Sequence, residues 1–223
     1  KIDHHPYEED FGGLEWIEDG SSSTCQMIAK MLLKSNFKLS IPVAANLFLG
    51  IVSDSDRFLI SYTSLETFEI VTALIRETQL PFTRYYEKLY ERPLEEIRFH
   101  GYLATNLEVS ENGFASIRIS DEVVKEYGVD SSTASNMIND FNYMKDVYVW
   151  TFVTYDAKND VYKVNIRSKG PIINEIASRY HGGGHKYASG VRTSSKEDID
   201  HLFKDLDEAC REYKSELEKK ISV

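Results

Sequence analysis

Three consecutive residues near the start of the chain, Asp3, His4 and His5, combine side chains that commonly build metal sites. A neutral imidazole is a frequent metal ligand, and a neighbouring carboxylate can orient such a ring. The triplet therefore predicts one histidine that binds a metal ion and a second that faces a substrate. Asp-His-His also occurs in ordinary loops, so this interpretation needs support from elsewhere in the chain.

Asp54 is the residue that supports a metal site. It ends an otherwise apolar segment, and residues 50–58 read GIVSDSDRF. A carboxylate at the polar end of a buried helix can reach a metal ion near the tip of a neighbouring strand. The alternative is a solvated helix end, where Asp56 and Arg57 pair with each other and contribute only about 0–1 kcal/mol.

A run of three glycines, Gly182, Gly183 and Gly184, lies between His181 and His185. Glycines let the backbone approach a ligand closely and can turn several N–H groups towards an anion. His185 can donate a hydrogen bond to a phosphate. The alternative is a helix C-cap with a flexible turn, for which one glycine suffices.

The glycine run lies in a basic island within an acidic protein. The formal net charge is −10, yet residues 161–192 contain six basic residues and one acidic residue, a local charge of +5. The basic residues are Lys163, Arg167, Lys169, Arg179, Lys186 and Arg192. The island indicates a local anion site for a small phosphorylated ligand, to which Arg167 and Ser168 could contribute, whereas the overall charge disfavours duplex DNA. A coincidental cluster on a solvated face is the alternative.

The elements that must position these residues follow from hydrophobic spacing, capping signals and turn signals. Ser23 and Gln26 match a capping box that opens a first helix. Further helices are predicted at residues 42–54, 65–77, 81–90 and 93–100. The later part predicts hairpins of residues 103–109 with 114–119 and 147–155 with 161–167, short helices from Asp121 and at 131–141 and 171–180, and a strand at 187–192. Ser194 and Glu197 predict a capping box for a long terminal helix.

Composition places the chain among soluble globular proteins. Its 223 residues are 42% hydrophobic and 28% charged. The longest apolar stretch is about half of the ~20 residues that a membrane span needs, and no secretory signal is visible. Cys25 and Cys210 are too few for a disulfide framework and are predicted to be reduced core thiols. We therefore expect a cytoplasmic protein.

Two regions emerge from this pattern. Residues 1–98 are helix-rich and indicate the C-terminal part of an α/β domain with a parallel sheet, together with a linker helix. Residues 99–223 indicate a complete α+β domain with a mixed sheet. Only Lys1 and Ile2 precede the Asp-His-His triplet, fewer residues than a strand normally has. We therefore expect the chain to be part of a longer polypeptide.

The motifs and their order resemble the DHH phosphoesterase family, in the branch with a C-terminal DHH-associated substrate-binding domain. The matching stretches are the Asp3 triplet, residues 50–58, RSKG at 167–170 and INEIASRYHGGGHKYASG at 173–190. The last two are similar to the nanoRNase and pAp-phosphatase group. The resemblance covers essentially the whole chain.

The resemblance implies two divalent metal ions, usually manganese, held by four motifs. His4 and Asp54 match metal ligands, of the third and fourth motif respectively. Asp3 matches the carboxylate beside His4, and His5 matches a histidine that contacts the substrate phosphate, so both would be catalytic residues. The first two motifs have no counterpart here, so the site is expected to be incomplete and this chain alone inactive. The family usually has a glycine where Asp56 stands.

The resemblance also implies a substrate site in the second domain. Its predicted residues are Arg167, Ser168, Gly182, Gly183, Gly184 and His185. The implied activity is hydrolysis of short 5′-phosphorylated oligoribonucleotides, of pAp, or of both, to mononucleotides. The partners would be short single strands or small phosphorylated nucleotides, with no membrane contact, and a homodimer stays open. Alternatives are a phosphodiesterase for cyclic or linear dinucleotides and, for this chain alone, a nucleotide-binding module without catalysis.

Overall fold

A computed structural model describes residues 1–7 and 9–221. The chain divides into two compact units, Lys1–Glu91 and a second unit that begins at Arg92. The sequence-based boundary at residue 98 falls inside a helix, Leu94–Asn106, of the second unit. Phe99 and Leu103 on this helix are fully buried in the core of that unit, so the helix packs with the domain that follows it.

The described part of the first unit combines a short parallel sheet with helices. β1 (Ile2–Asp3) pairs in parallel with β2 (Trp16–Ile17). The helices are α1 (Thr24–Leu33), α2 (Ile41–Asp54), α3 (Leu65–Thr78) and α4 (Phe82–Tyr90). Their apolar faces share one core, in which Phe48 and Leu74 are almost fully buried. α2 ends at Asp54, as its hydrophobic spacing predicts.

At the start of α1, the Ser23 side chain forms the predicted cap, whereas the Gln26 side chain has partners other than the one that a capping box implies. Ser23 is the N-cap, and its hydroxyl accepts a hydrogen bond from the backbone N–H of Gln26 at 3.0 Å. The Gln26 side chain is buried and its Oε1 accepts hydrogen bonds from Ser22 Oγ at 2.6 Å and Thr67 Oγ1 at 2.8 Å. This side chain therefore links α1 to α3, because a buried amide needs partners wherever the fold provides them.

The second unit is a six-stranded mixed sheet with helices on both faces. Its elements in chain order are α5 (Leu94–Asn106), β3 (Glu108–Val109), β4 (Phe114–Ile119), α6 (Asp121–Glu126), α7 (Ser131–Asn136), a 3₁₀ helix (Met137–Phe141), β5 (Val149–Asp156), β6 (Val161–Ser168), α8 (Asn174–Arg179), β7 (Gly183–His185), β8 (Ala188–Thr193) and α9 (Lys196–Ile221). The strand order is β3–β4–β5–β6–β8–β7. β4 and β5 are parallel, and the other neighbouring pairs are antiparallel. This mixed α/β architecture confirms the predicted fold class.

The two faces of this sheet belong to two separate apolar cores. Side chains alternate along β5, so Trp150 lies in the core beneath α5 and the 3₁₀ helix, whereas Val153 lies in the core beneath α8 and α9. On β6, Val164 and Ile166 face the α8–α9 core. Asn165, which lies between them, therefore points to the opposite face of the sheet, outside the core that contains Trp150.

Three element boundaries in the second unit differ from the sequence predictions. Residues 103–106 continue α5 instead of beginning a strand, because Leu103 extends the buried stripe of that helix. α8 begins at Asn174 instead of at Pro171. The hydroxyl of Ser195, instead of Ser194, accepts the backbone N–H of Asp198 at 3.1 Å near the start of α9.

Both cysteines are free thiols, as predicted. Cys210 is fully buried, and burial raises the pKa of its thiol to about 12. Among residues 1–7 and 9–221, no helix is both long enough and apolar enough to cross a membrane.

Candidate functional site

β1 and the end of α2 bring His4 and Asp54 together. His4 Nε2 lies 3.4 Å from Asp54 Oδ2. The His4 side chain is 18% exposed and that of Asp54 is 52% exposed, so a mostly covered imidazole meets a solvated carboxylate. The other ring nitrogen, Nδ1, lies 3.4 Å from the carbonyl oxygen of Ser21. This contact orients the ring with Nε2 towards Asp54, as outer-shell partners do for ligand histidines.

The His4–Asp54 pair fits part of a metal site. Two ligand atoms that each lie about 2.1 Å from one ion are about 3.0 Å apart at an octahedral angle and about 3.4 Å apart at a tetrahedral angle, so the 3.4 Å between Nε2 and Oδ2 is compatible with a shared ion. Within the part of the chain that the structure describes, no group of three or more His, Cys, Asp or Glu residues is placed to hold a metal ion. The pair therefore supplies two ligands, and a full coordination sphere needs others.

Asp3 binds His5 rather than His4. Its Oδ1 accepts the backbone N–H of His5 at 3.1 Å and lies 2.8 Å from His5 Nδ1. These hydrogen bonds, that from the backbone first, lower the pKa of Asp3 to about 2. The His5 ring is 68% exposed and its centroid lies 4.3 Å from that of His4. Asp3 thus holds an exposed imidazole beside the candidate metal ligand.

One face of the sheet in the second unit carries three rows of residues across β6, β8 and β7. Directly paired residues share a face of a sheet. The rows are Arg167, Ala188 and His185, then Asn165, Gly190 and Gly183, then Lys163 and Arg192. Successive rows lie about 6.6 Å apart, because each is two strand residues further along. We call this eight-residue surface the open face.

The first row holds Arg167 and His185 at the same level. One strand separates them, so their Cα atoms are about 10 Å apart. Arg167 Nε donates to Asn139 Oδ1 at 2.9 Å and Nη1 donates to the carbonyl oxygen of Ile166 at 3.0 Å. Burial lowers the pKa of the Arg167 guanidinium, which nevertheless stays protonated. Its Nη2 has no partner among the described residues and can donate to an anion.

Gly183 and Gly184 lie in the edge strand β7, whereas the sequence predicts a run of glycines that turns its N–H groups towards an anion. A Cβ on Gly182 or Gly184 would collide with neighbouring backbone atoms, whereas a Cβ on Gly183 would meet nothing within 4 Å. Gly182 and Gly184 are thus required by the packing of β7. Gly183 lies on the open face, where its bare backbone pairs with the equally bare Gly190.

Two of the predicted substrate contacts serve the fold. Ser168 is buried on the opposite face from Arg167, and its Oγ donates to the carbonyl oxygen of Pro171 at 2.7 Å. The backbone N–H of Gly182 donates to the carbonyl oxygen of Ala177 at 2.9 Å. The Ser168 side chain therefore faces away from the open face at the end of β6, and the Gly182 N–H is used in the turn after α8.

Lys163, in the third row, forms an ion pair with Asp156 on β5. Its Nζ lies 2.6 Å from Asp156 Oδ2. Hydrogen bonds from Lys163 and then from Asn159 lower the pKa of the Asp156 carboxyl from 3.8 to about 2. The ion pair thus ties the end of β5 to the open face.

The Asp156 pair predicts a defined acid dependence of stability. A carboxyl whose pKa is lowered by folding stabilises the native state above its unfolded pKa of 3.8, and this contribution is lost as the pH falls towards 2. We expect the urea midpoints of wild type and Asp156→Asn to differ by a constant amount above about pH 5 and to converge near pH 2. A difference that stays constant down to pH 2 would contradict the assignment.

Comparison with known proteins identifies both units. Residues 115–212 match the DHHA1 domain and include the entire open face. The bifunctional oligoribonuclease and PAP phosphatase NrnA of Bacillus subtilis (strain 168) is 34% identical over 96% of this chain and 68% of its own length. The chain belongs to the DHH phosphoesterase family. A probable bifunctional oligoribonuclease and PAP phosphatase NrnA of Streptococcus mutans is 32% identical over 92% of this chain and 66% of its own.

A solved structure supports the fold of this DHH phosphoesterase. The crystal structure of an exopolyphosphatase-related protein from Bacteroides fragilis superimposes with a TM-score of 0.82 at 22% identity. The match covers 94% of this chain and 65% of that protein. The chain thus spans about two thirds of the length of the relatives it matches.

The loop after Asp54 shows how this DHH phosphoesterase accommodates Asp56 where the resemblance implies glycine. Asp56, Arg57 and Phe58 all have positive φ, of 44°, 64° and 70°. Such values favour glycine. The Asp56 carboxylate lies 2.8 Å from Arg57 Nη2, and the guanidinium lies 5.8 Å from the centre of the Tyr90 ring. The charge of Asp56 is therefore paired with that of Arg57.

Three polar residues at the DHHA1 surface are absent from the predicted substrate contacts, although Arg192 belongs to the basic island. Asn139 orients Arg167 from the 3₁₀ helix. Asn165 and Arg192 lie in the second and third rows of the open face. Period-two alternation along residues 163–167, extended to the paired strand, would have found the last two, whereas the contact of Asn139 depends on tertiary packing.

Proposed function

We propose that the protein containing this chain is a metal-dependent hydrolase of short 5′-phosphorylated oligoribonucleotides and of pAp. The observation that carries the proposal is the His4–Asp54 pair, whose 3.4 Å separation suits two ligands of one metal ion. Relatives named as oligoribonucleases and PAP phosphatases support the substrate class. Imidazole and carboxylate ligands suit manganese, and our expectation remains two divalent ions.

The residues around the proposed metal site have distinct roles. His4 and Asp54 would hold an ion, which when bound would polarise a phosphoryl oxygen and lower the pKa of a bound water. His5 offers its exposed ring to a phosphate oxygen beside His4. Asp3 positions that ring through the 2.8 Å contact with Nδ1, which favours a proton on that nitrogen.

In the second unit, the open face would bind nucleotide. Arg167 contributes a guanidinium fixed by Asn139, and His185 contributes an exposed ring at the same level. Gly183 leaves the adjacent backbone bare, so that a ribose or base can approach closely. This small cationic surface suits a mononucleotide or short oligonucleotide, because long single strands need an extended basic groove with stacking aromatic side chains.

The decisive experiment compares hydrolysis of pAp and pApA with manganese, using protein expressed from the complete reading frame. Release of AMP from either substrate supports the proposal, and the rate ratio separates phosphatase from oligoribonuclease activity. No turnover of either substrate, with nucleotide binding intact, would contradict it. Cyclic dinucleotides would then be the next substrates, and a binding module without catalysis the remaining alternative.

His185→Ala is expected to weaken binding of pAp about tenfold, because a charge-assisted hydrogen bond contributes about 1.5–3 kcal/mol. The side chain is exposed, so the free energy of unfolding should change by less than about 0.5 kcal/mol. Calorimetric titration in EDTA and urea unfolding measure the two quantities. His201→Ala, at an exposed position of α9, is the matched control. Unchanged affinity in His185→Ala would remove this residue from the site.

A further inference from the structure

The third row of the open face has no role in the proposed site. Arg167 lies four residue steps along β6 from Lys163, a distance of about 13 Å. Between the two rows, Asn165, Gly190 and Gly183 present a low floor with a single side chain. A cavity of about 370 Å³ opens above this floor. Its lining includes Lys163, Asn165, Arg192 and residues of the glycine run, and contains no carboxylate.

Two polar side chains in this cavity have unused hydrogen-bonding capacity. The half-buried Asn165 amide has no hydrogen-bond partner among the described residues. Arg192 is exposed and forms no ion pair with any carboxylate in the described part of the chain. Lys163 differs, because Asp156 neutralises it at 2.6 Å. Arg192 therefore supplies the unpaired positive charge of this cavity.

A second cavity of about 320 Å³ adjoins the first and shares Lys163, Asn165 and Arg192 with it. Its far wall is the hydroxyl and amide surface of α7. The wall residues are Ser131, Ser132, Ser135 and Asn136. Asp121 and Asp156 place two carboxylates in the lining of this second cavity, so it suits a neutral, hydrogen-bonding group better than a second anion. A nucleoside is such a group.

We propose that Arg192 and Asn165 bind the phosphate of a further nucleotide in an oligonucleotide substrate, and that the cavity beside α7 receives its nucleoside. This inference rests on the proposed function and extends it. The nucleotide held at Arg167 and His185 would be followed, across the glycine floor, by a later nucleotide at Arg192. The third row thus favours oligonucleotides over pAp, which has no further nucleotide to place there.

Arg192→Gln tests the proposal through substrate preference. The ratio of kcat/KM for a 5′-phosphorylated penta-adenylate to that for pAp should fall about tenfold, mainly through KM, because one charge-assisted hydrogen bond contributes about 1.5–3 kcal/mol. Arg179→Gln is the matched control, since this exposed arginine of the same basic island pairs with Asp205 on α9. An unchanged ratio in Arg192→Gln, or an equal fall in Arg179→Gln, would overturn the proposal.

Binding measured in EDTA separates this inference from the proposed activity. The logarithm of the penta-adenylate affinity should depend on log salt with a slope that is smaller by about 0.7 in Arg192→Gln, as expected when one phosphate contact is lost. Asp156→Asn should tighten binding several-fold, because it releases Lys163 and removes a negative charge from the cavity beside α7. Asp205→Asn, on the other side of the sheet, is its control.

These binding outcomes remain decisive if the wild type hydrolyses neither substrate. The proposed function would then fail. The nucleotide site at Arg192 would still be tested by the salt slope and by the affinity of Asp156→Asn. If Arg192→Gln kept the affinity and the salt slope of the wild type, the proposed nucleotide site at Arg192 would be overturned even in an active enzyme. If Asp205→Asn tightened binding as much as Asp156→Asn, the gain in affinity would reflect net charge alone. That result would also overturn the proposed site.

Discussion

Asp54→Asn is expected to abolish manganese-dependent turnover of pAp and pApA, with a fall in kcat on the order of 10³-fold. Asparagine keeps the shape of the side chain but removes the negative charge that faces His4 Nε2 at 3.4 Å. A bound metal ion stabilises phosphoryl transfer by several kcal/mol, and each 1.36 kcal/mol is a factor of ten in rate. Steady-state kinetics over a range of manganese concentrations measures the loss.

The control for this variant separates the loss of a metal ligand from loss of the fold. Glu77→Gln removes an exposed carboxylate from α3 in the same unit and should leave turnover at the wild-type level. Binding of pAp to Asp54→Asn in EDTA should also match the wild type, because the proposed anion contacts at Arg167 and His185 are intact. Wild-type turnover in Asp54→Asn would show that the metal ligand had been assigned to the wrong residue.

Gly184→Ala is expected to lower the free energy of unfolding by about 3 kcal/mol or more. Gly184 has φ of +134°, and a Cβ there would lie 2.6 Å from the carbonyl oxygen of Ala188 and 2.8 Å from Ser189 Cα. These obstacles are backbone atoms of β8, which cannot move without breaking the pairing of β7 with β8. Urea unfolding measures the loss, and nucleotide binding should fall with it because His185 belongs to the same strand.

Gly183→Ala is the matched comparison. In this variant we expect the stability to be retained and the affinity for pAp to fall. A methyl group at this position meets nothing within 4 Å, so the free energy of unfolding should stay within about 0.5 kcal/mol of wild type. The same methyl group stands on the open face beside Gly190, so affinity for pAp should fall. Equal stability losses in the two variants would mean that β7 does not pack as described. Wild-type affinity in Gly183→Ala would exclude close approach of a ligand there.

Local signals account for much of the fold. The helical spacing over α2 ends at Asp54 because the same apolar positions that define the pattern are those buried in the core. Asn112 and Gly113 lie in the turn between β3 and β4, with Gly113 at a φ of 88° that other residues rarely adopt. Such features depend on a few neighbouring residues, which is why they can be predicted.

The sites were less accessible to prediction because they depend on register and long-range packing. His4 and Asp54 meet across distant segments, so the position of Asp54 at the polar end of a helix suggests their pairing and the family resemblance supports it, but neither gives the geometry. The sequence does not predict a strand at the glycine run, since glycine has low strand propensity and β7 exists by pairing with β8. Ser168 was assigned to the substrate because RSKG was taken as one unit, whereas alternation along β6 sends Arg167 and Ser168 to opposite faces.

β7 also has a consequence for self-association. It is the terminal strand of the sheet, with β8 as its strand neighbour on one side. A bare strand edge is a template for pairing with another chain, and proteins limit this hazard by making such strands short and placing charges beside them. β7 has three residues, its last is His185, and Lys186 follows. The shortness of β7 and the positive charge that follows it thus keep this edge from nucleating aggregation.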